Sequence, residues 1–141
     1  AYGAEARGGA SRSDVIISDK DIYFPEVHVP DYLITLTQQS YDKFYPLIKR
    51  NGTIIADDWY VKEYMKTDGF VIKLPLYHSV METIGNPIVL NICPLGAVIE
   101  ITKVVKPESI MQVLEQRMNP DYLEMNRKAL DLGIEIAKKC K

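Results

Sequence analysis

Two short, nearly unbroken apolar runs, YLITLT at 32–37 and TIIA at 53–56, with an amphipathic segment between them, constrain the fold of this chain more than any other feature. A strand with one wet face alternates apolar and polar residues, whereas a run interrupted only by threonines is expected where both faces are covered, as in parallel sheets. Parallel strands need a crossover, and 40–49 reads as a short helix with Tyr41, Phe44, Tyr45 and Ile48 on one face and Asn51-Gly52 as its terminator. Residues 13–18 read as an earlier strand and 70–74 as a later one, stopped by Pro75. The run 22–29 is broken by Pro25, so it reads as an irregular or edge segment, because an interior strand cannot lose a ladder donor. Beta-branched runs alternating with helical patterns predict an α/β fold with 53–56 as a central strand.

The C-terminal half predicts helices. Asn86-Pro87, Lys106-Pro107 and Asn119-Pro120 each place a proline where a first helical residue tolerates it, and they mark three helix starts. In the last helix Tyr122, Met125, Ala129, Leu132, Ile136 and Cys140 form an apolar stripe, with acids in its first turn and lysines near its end. Gly133 within that helix costs about 1 kcal/mol relative to alanine and implies close approach of another backbone. Ile110, Met111, Leu114 and Met118 read as core. The longest apolar stretch, 87–101, is interrupted by Asn91, Pro94 and Glu100 and reads as buried helix, with no membrane span.

Composition narrows the function classes. At 141 residues, 47% hydrophobic and 26% charged, the chain is the size of one domain with a real core. A formal net charge of −2 supplies no surplus to neutralise phosphates, so nucleic acid is a poor partner. Two distant cysteines, Cys93 and Cys140, exclude a Cys-x-x-Cys pair or a cluster-binding set, and such sparse use fits a reducing cytoplasm. No G-x-S-x-G, H-E-x-x-H or P-loop lysine motif is present, and His28 and His78 have no telling neighbours, so neither catalytic nor metal-ligating residues are assigned.

Two stretches are candidate sites. Thr37, Gln38 and Asp57 follow apolar strands at the carboxyl edge, where α/β folds hold ligands; Asp57-Asp58-Trp59 reads equally as a turn and cap, and the turn is the plainer reading. The opening AYGAEARGG sets Glu5 and Arg7 among Gly3, Gly8 and Gly9, which suits a docking or ligand-facing loop as well as an ordinary lead-in to a strand.

Here a resemblance adds to the residues. YGAEARGGASRSDVIIS resembles the signature of the gamma subunit, or gamma domain, of the 2-oxoacid:ferredoxin oxidoreductases, with Tyr2, Gly3, Glu5, Arg7, Gly8 and Gly9 at matching positions. The similarity continues through PDYLITLTQQSYDKFYPLIKRNGTIIAD and NPIVLNICPLGAVIEIT to the closing helix, and is nearest to the 2-oxoglutarate type. It implies a Rossmann-like, mostly parallel sheet flanked by helices with a helical C-terminal half, in one gamma-type domain over 1–141. The family's Gly-x-Gly-Gly-Gln-Gly loop is missing, so the chain is expected to lack the first βα unit, as a truncation would. The resemblance further implies a cytoplasmic complex that turns a 2-oxoacid and coenzyme A into acyl-CoA, CO2 and reduced ferredoxin. Thiamine diphosphate, Mg2+ and [4Fe-4S] clusters would be carried by alpha, beta and delta partners. The gamma part would be non-catalytic alone, helping to cover the active-site and coenzyme A region with Tyr2, Gly3, Glu5, Arg7, Gly8 and Gly9 at the subunit junction. A free-standing α/β module for a nucleotide or coenzyme A, or a purely structural subunit, are the competing readings.

Overall fold

The computed structural model describes residues 10–140. The loop residues Tyr2, Gly3, Glu5, Arg7, Gly8 and Gly9 lie outside the described residues. The strands are β1 (Tyr32–Thr35), β2 (Thr53–Asp57) and β3 (Phe70–Leu74), and the helices α1 (Gln38–Phe44), α2 (Leu76–Thr83), α3 (Ile92–Thr102), α4 (Pro107–Arg117) and α5 (Leu123–Lys139). The strands form one parallel sheet in the order β1-β2-β3, with Tyr32 opposite Thr53 and Thr35 opposite Ala56. The fold is α/β with a helical C-terminal half, as expected, and its residues fall into two compact units.

The first unit comprises residues 10–56 and 60–72. Thr37, in extended backbone, caps α1 by accepting the Ser40 amide at 3.2 Å. Pro46 cannot donate, and the helix passes there into a 3-10 turn over Tyr45–Leu47. Tyr41 and Ile48 close a core with Ile54, Ala56 and Val61. Gly52 and Gly69 meet where the chain enters β2 and β3. A Cβ on Gly69 would stand 2.7 Å from the Gly52 carbonyl oxygen, and a Cβ on Gly52 would stand 2.8 Å from that of Lys49.

Two expectations need correction here. Residues 13–18 are apolar and β-branched but form no strand: Val15 and Ile17 are exposed, and no neighbouring chain among the described residues offers them a ladder. The run at 32–37 is not covered on both faces either. β1 is an edge strand, its Tyr32 and Ile34 are exposed, and the doubly covered strand is the central β2, buried from Ile54 to Asp57. The irregular reading of 22–29 and the stop at Pro75 agree with the structure.

The second unit comprises residues 57–59 and 73–140. α3 is apolar nearly all round and is buried accordingly. It crosses α5 at Gly96 and Gly133. A Cβ on Gly133 would overlap the carbonyl oxygen of Cys93 and stand 2.9 Å from the Ala97 nitrogen, so the backbone that Gly133 admits belongs to this same unit. That crossing also decides which face of α5 turns inward: Asn126, Ala129, Leu130, Gly133, Ile134, Ile136 and Ala137 are buried. Of the expected stripe only Ala129 and Ile136 are fully buried, while Tyr122 and Cys140 are exposed. Helix approach follows the smallest side chains, and the face rotates toward Gly133. Met111 and Leu114 of α4 are buried, whereas Met118 is exposed. No helix among the described residues is long and apolar enough to cross a membrane.

Candidate functional site

The two edge residues of the first unit are fully engaged. The Thr37 hydroxyl donates to Ser40 Oγ at 2.9 Å besides capping α1. Gln38 Oε1 accepts the amides of Lys62 and Glu63 at 2.8 and 3.0 Å, while its Nε2 donates to the Glu63 carbonyl and to Asp42 Oδ1, both at 2.9 Å. A side-chain amide offers two acceptor and two donor positions, and here all four are taken. Gln38 is thus a clasp on the segment after β2, a role that its polar position past a strand did not disclose. One strand earlier in the same unit, the Thr35 hydroxyl is buried and meets no partner among the described residues.

Asp57 closes β2 in the second unit. It is buried, and its Oδ1 accepts the Trp59 amide at 3.2 Å and the Tyr77 amide at a long 3.5 Å, with the Leu76 amide also facing the carboxylate. It therefore ties the turn at 57–59 to the first turn of α2, where partial positive charge favours an anion. Burial pushes its pKa up, more strongly than these amides draw it down. The Cys93 thiol, also buried, is pushed up to about 12 by burial and by the charge of Asp57. A thiol so held is not a nucleophile at neutral pH. Beside this turn, Trp59 stacks on Tyr77 at 5.5 Å and on His78 at 6.0 Å, and His78 Nε2 lies 3.0 Å from Glu82 Oε1. Sequence spacing carried no sign of that aromatic shelf, because Trp59 and Tyr77 belong to different elements.

This geometry separates two roles for Asp57. Asp57→Ala should lose about 1–2 kcal/mol by leaving the Trp59 amide without its acceptor. Asp57→Asn keeps an acceptor and removes a buried charge, so at pH 7 it should be as stable as the parent or more so. The sign follows from the raised native pKa. The native state holds the proton more tightly than the unfolded chain, so this residue's stabilisation is complete below the ordinary value near 3.8 and is lost as pH rises through the native one. Urea unfolding from pH 4 upward should show that slope in the parent and a flatter one in the asparagine variant. An asparagine variant as unstable as the alanine one would mean that the charge itself is needed there.

Among the described residues, no three His, Cys, Asp or Glu side chains gather to hold a metal ion. A cubane cluster held by cysteines takes four of them, and the whole chain has two, one of them buried with its thiol protonated, so this chain's residues do not fit such a cluster. An open groove of about 340 Å³ runs between α4 and α5, past Glu108, Met111, Glu115 and Arg127, with Arg127 3.5 Å from Glu115.

Parallel strands joined by crossovers, followed by a helical half, define a Rossmann-like α/β fold. More narrowly, the chain belongs to the pyruvate ferredoxin/flavodoxin oxidoreductase family, which it matches over residues 1–136. It is 40% identical over 139 residues to "2-oxoglutarate synthase subunit KorC" of Methanocaldococcus jannaschii, covering 97% of this chain and 74% of that protein. To the KorC subunit of Archaeoglobus fulgidus it is 34% identical over 138 residues, 98% of this chain and 70% of the relative. The crystal structure of the keto/oxoacid ferredoxin oxidoreductase gamma subunit from Geobacter sulfurreducens superposes with a TM-score of 0.85 at 34% identity, over 99% of this chain and 78% of that one. The 2-oxoglutarate:ferredoxin oxidoreductase of Magnetococcus marinus, solved with 2-oxoglutarate, coenzyme A and succinyl-CoA, shares the fold. Its TM-score is 0.76 at 18% identity, over 88% of this chain and 22% of that one.

Proposed function

We propose that this chain is the gamma subunit of a 2-oxoacid:ferredoxin oxidoreductase of the 2-oxoglutarate type, in which 2-oxoacid and coenzyme A become acyl-CoA, CO2 and reduced ferredoxin. The observation that carries the reading is the 40% identity to a KorC subunit across 97% of the chain. Thiamine diphosphate with Mg2+ and the [4Fe-4S] clusters belong, on this reading, to alpha, beta and delta partners in the cytoplasm, where the cofactor supplies the carbanion chemistry. A four-cysteine cluster site cannot be made from the two cysteines of this chain. The gamma chain then acts by assembly, as one domain over 1–141; the unbroken family match across 1–136 supports treating it so. Its opening loop, with Tyr2, Gly3, Glu5, Arg7, Gly8 and Gly9, faces the junction that covers the active-site and coenzyme A region. A free-standing nucleotide or coenzyme A module is the weaker reading. It would draw on Thr37, Gln38 and Asp57, whose side chains are engaged in bonds within their own units.

Purification of the chain from its native cell, identification of what co-elutes, and assay of coenzyme A-dependent dye reduction test this directly. Large thiamine-binding chains and activity with 2-oxoglutarate are the expected result. A chain that elutes alone, and is stabilised against heat by coenzyme A or a nucleotide, would support the module instead. Arg7→Ala should weaken assembly or turnover by about tenfold or more, as loss of a paired interface charge does, while the chain stays folded. Unchanged assembly and activity would remove the loop from the junction.

A further inference from the structure

Every second side chain from Ala10 to Ile16 turns inward: Ala10 is buried and Arg12, Asp14 and Ile16 are half-buried, while Ser11, Ser13 and Val15 are exposed. Extended chain has a period of two, so residues two apart share a side, and here an arginine meets an acid. Arg12 grips Asp14 through two bonds, Nε to Oδ1 at 2.8 Å and Nη2 to Oδ2 at 2.6 Å, and its Nη2 also donates to the Val27 carbonyl at 2.9 Å. The Val27 amide returns a bond to Asp14 Oδ2 at 3.0 Å. Glu26 Oε1 lies 3.6 Å from the same Nη2, and the guanidinium carbon stands 6.0 Å from the centre of the Phe44 ring of α1. Two-pronged, charge-assisted pairs are among the stronger and more directional hydrogen bonds. The bond from Arg12 does most to hold the Asp14 pKa at about 2, so the pair is ionised at neutral pH.

This clamp joins three stretches of the first unit, at 12–14, at 26–27 and in α1. It lies just beyond Gly9, the last residue of the loop assigned above to the subunit junction. Gly3, Gly8 and Gly9 make that loop rich in the residue that loses most backbone freedom on ordering. Such a loop meets a partner with the least further ordering when its root is already fixed. Buried Ala10 and the tied Arg12 fix that root. A lysine at position 12 would keep the charge and lose the planar fork that makes the grip two-pronged.

We propose that Arg12 and Asp14 are positioning residues for the junction loop, setting the root from which Tyr2 to Gly9 are presented to a larger subunit of the oxidoreductase. This role rests on the gamma-subunit reading above. Arg12 acts through the loop and makes no contact of its own with the partner.

The test titrates the fluorescently labelled full chain with a purified subassembly of the alpha and beta subunits and reads anisotropy. Asp14→Asn and Arg12→Lys should each weaken binding by about tenfold, the size of effect expected of Arg7→Ala. Both should melt within about 4 °C of the parent, the scale for losing one part-exposed ion pair in a chain of this size. In the Arg7→Ala background the same changes should weaken binding by less than about threefold more, because groups that act through one element do not add. Glu26→Gln, whose side chain is exposed and reaches Arg12 only at 3.6 Å, should stay within about twofold of the parent. If the losses multiply with Arg7→Ala to about a hundredfold, the clamp acts independently of the loop and the positioning role is overturned. It is overturned equally if the parent binds and both clamp variants bind as tightly, or if Glu26→Gln loses as much as they do; the gamma-subunit reading then stands. An Arg7→Ala chain that binds like the parent removes the loop from the junction and the positioning role with it, again leaving the gamma-subunit reading. A parent that does not bind the subassembly overturns both.

Discussion

Replacing Gly133 with alanine is expected to destabilise the chain by about 3 kcal/mol, the upper part of the usual range for overpacking. The methyl group would overlap the Cys93 carbonyl oxygen and crowd the Ala97 nitrogen, both backbone atoms of α3 that cannot swing aside as a side chain can. Alanine's better helix propensity returns about 1 kcal/mol, so the clash must be larger than the net loss. Gly96→Ala meets Leu130 backbone in the same way and should cost a similar amount. The double variant should cost less than the two added, because one separation of α3 from α5 relieves both clashes. Urea midpoints of the three variants check this. A Gly133→Ala chain as stable as its parent would show that the helices do not cross at this distance.

The second large effect belongs to Tyr41. Its side chain is fully buried, stacks on Tyr45 at 5.3 Å and meets the edge of Tyr64 at 5.2 Å. Its hydroxyl accepts the Met65 amide at 3.1 Å and donates to the Met65 carbonyl at 3.3 Å. Tyr41→Ala should lose about 3–5 kcal/mol through the cavity left by an aromatic ring. Tyr41→Phe keeps the ring and strands one amide, for about 1–3 kcal/mol. Hydrogen exchange at the Met65 amide should accelerate in the phenylalanine variant while β2 exchanges as before. Unchanged exchange there would mean that the hydroxyl does not hold the irregular segment after β2, leaving that task to Gln38 alone.

What could be read in advance divides along a physical line. Capping is local chemistry, so the proline-marked starts were legible: Asn86 and Asn119 accept the amides two residues on, at 3.0 and 2.9 Å. Even so, the prolines at 87 and 120 open 3-10 turns, and α3 and α5 begin only beyond them. Apolar runs located β1, β2 and β3, but which strand lies at an edge depends on how many neighbours it has, and a run of residues does not contain that number. Residues 13–18 make the same point from the other side, since a strand-like composition stays without a ladder when nothing among the described residues pairs with it. At the candidate site, the acid at the end of β2 stood out in the sequence. Its engagement with amides from Trp59 and Tyr77 depends on α2 folding back to the strand end.

From order along the chain alone came the α/β class, the family signature, the helical C-terminal half and the need for a close backbone neighbour at Gly133. The signature came by resemblance to a known family; the others follow from propensity, period and caps, which act over a few residues. The tertiary structure alone decided that Gly133's neighbour is α3, that α5 turns its smallest residues inward, and that Gln38 and Asp57 are bound internally. Each of those depends on groups far apart in sequence meeting at a few ångströms, and distance in space is what a linear pattern does not record.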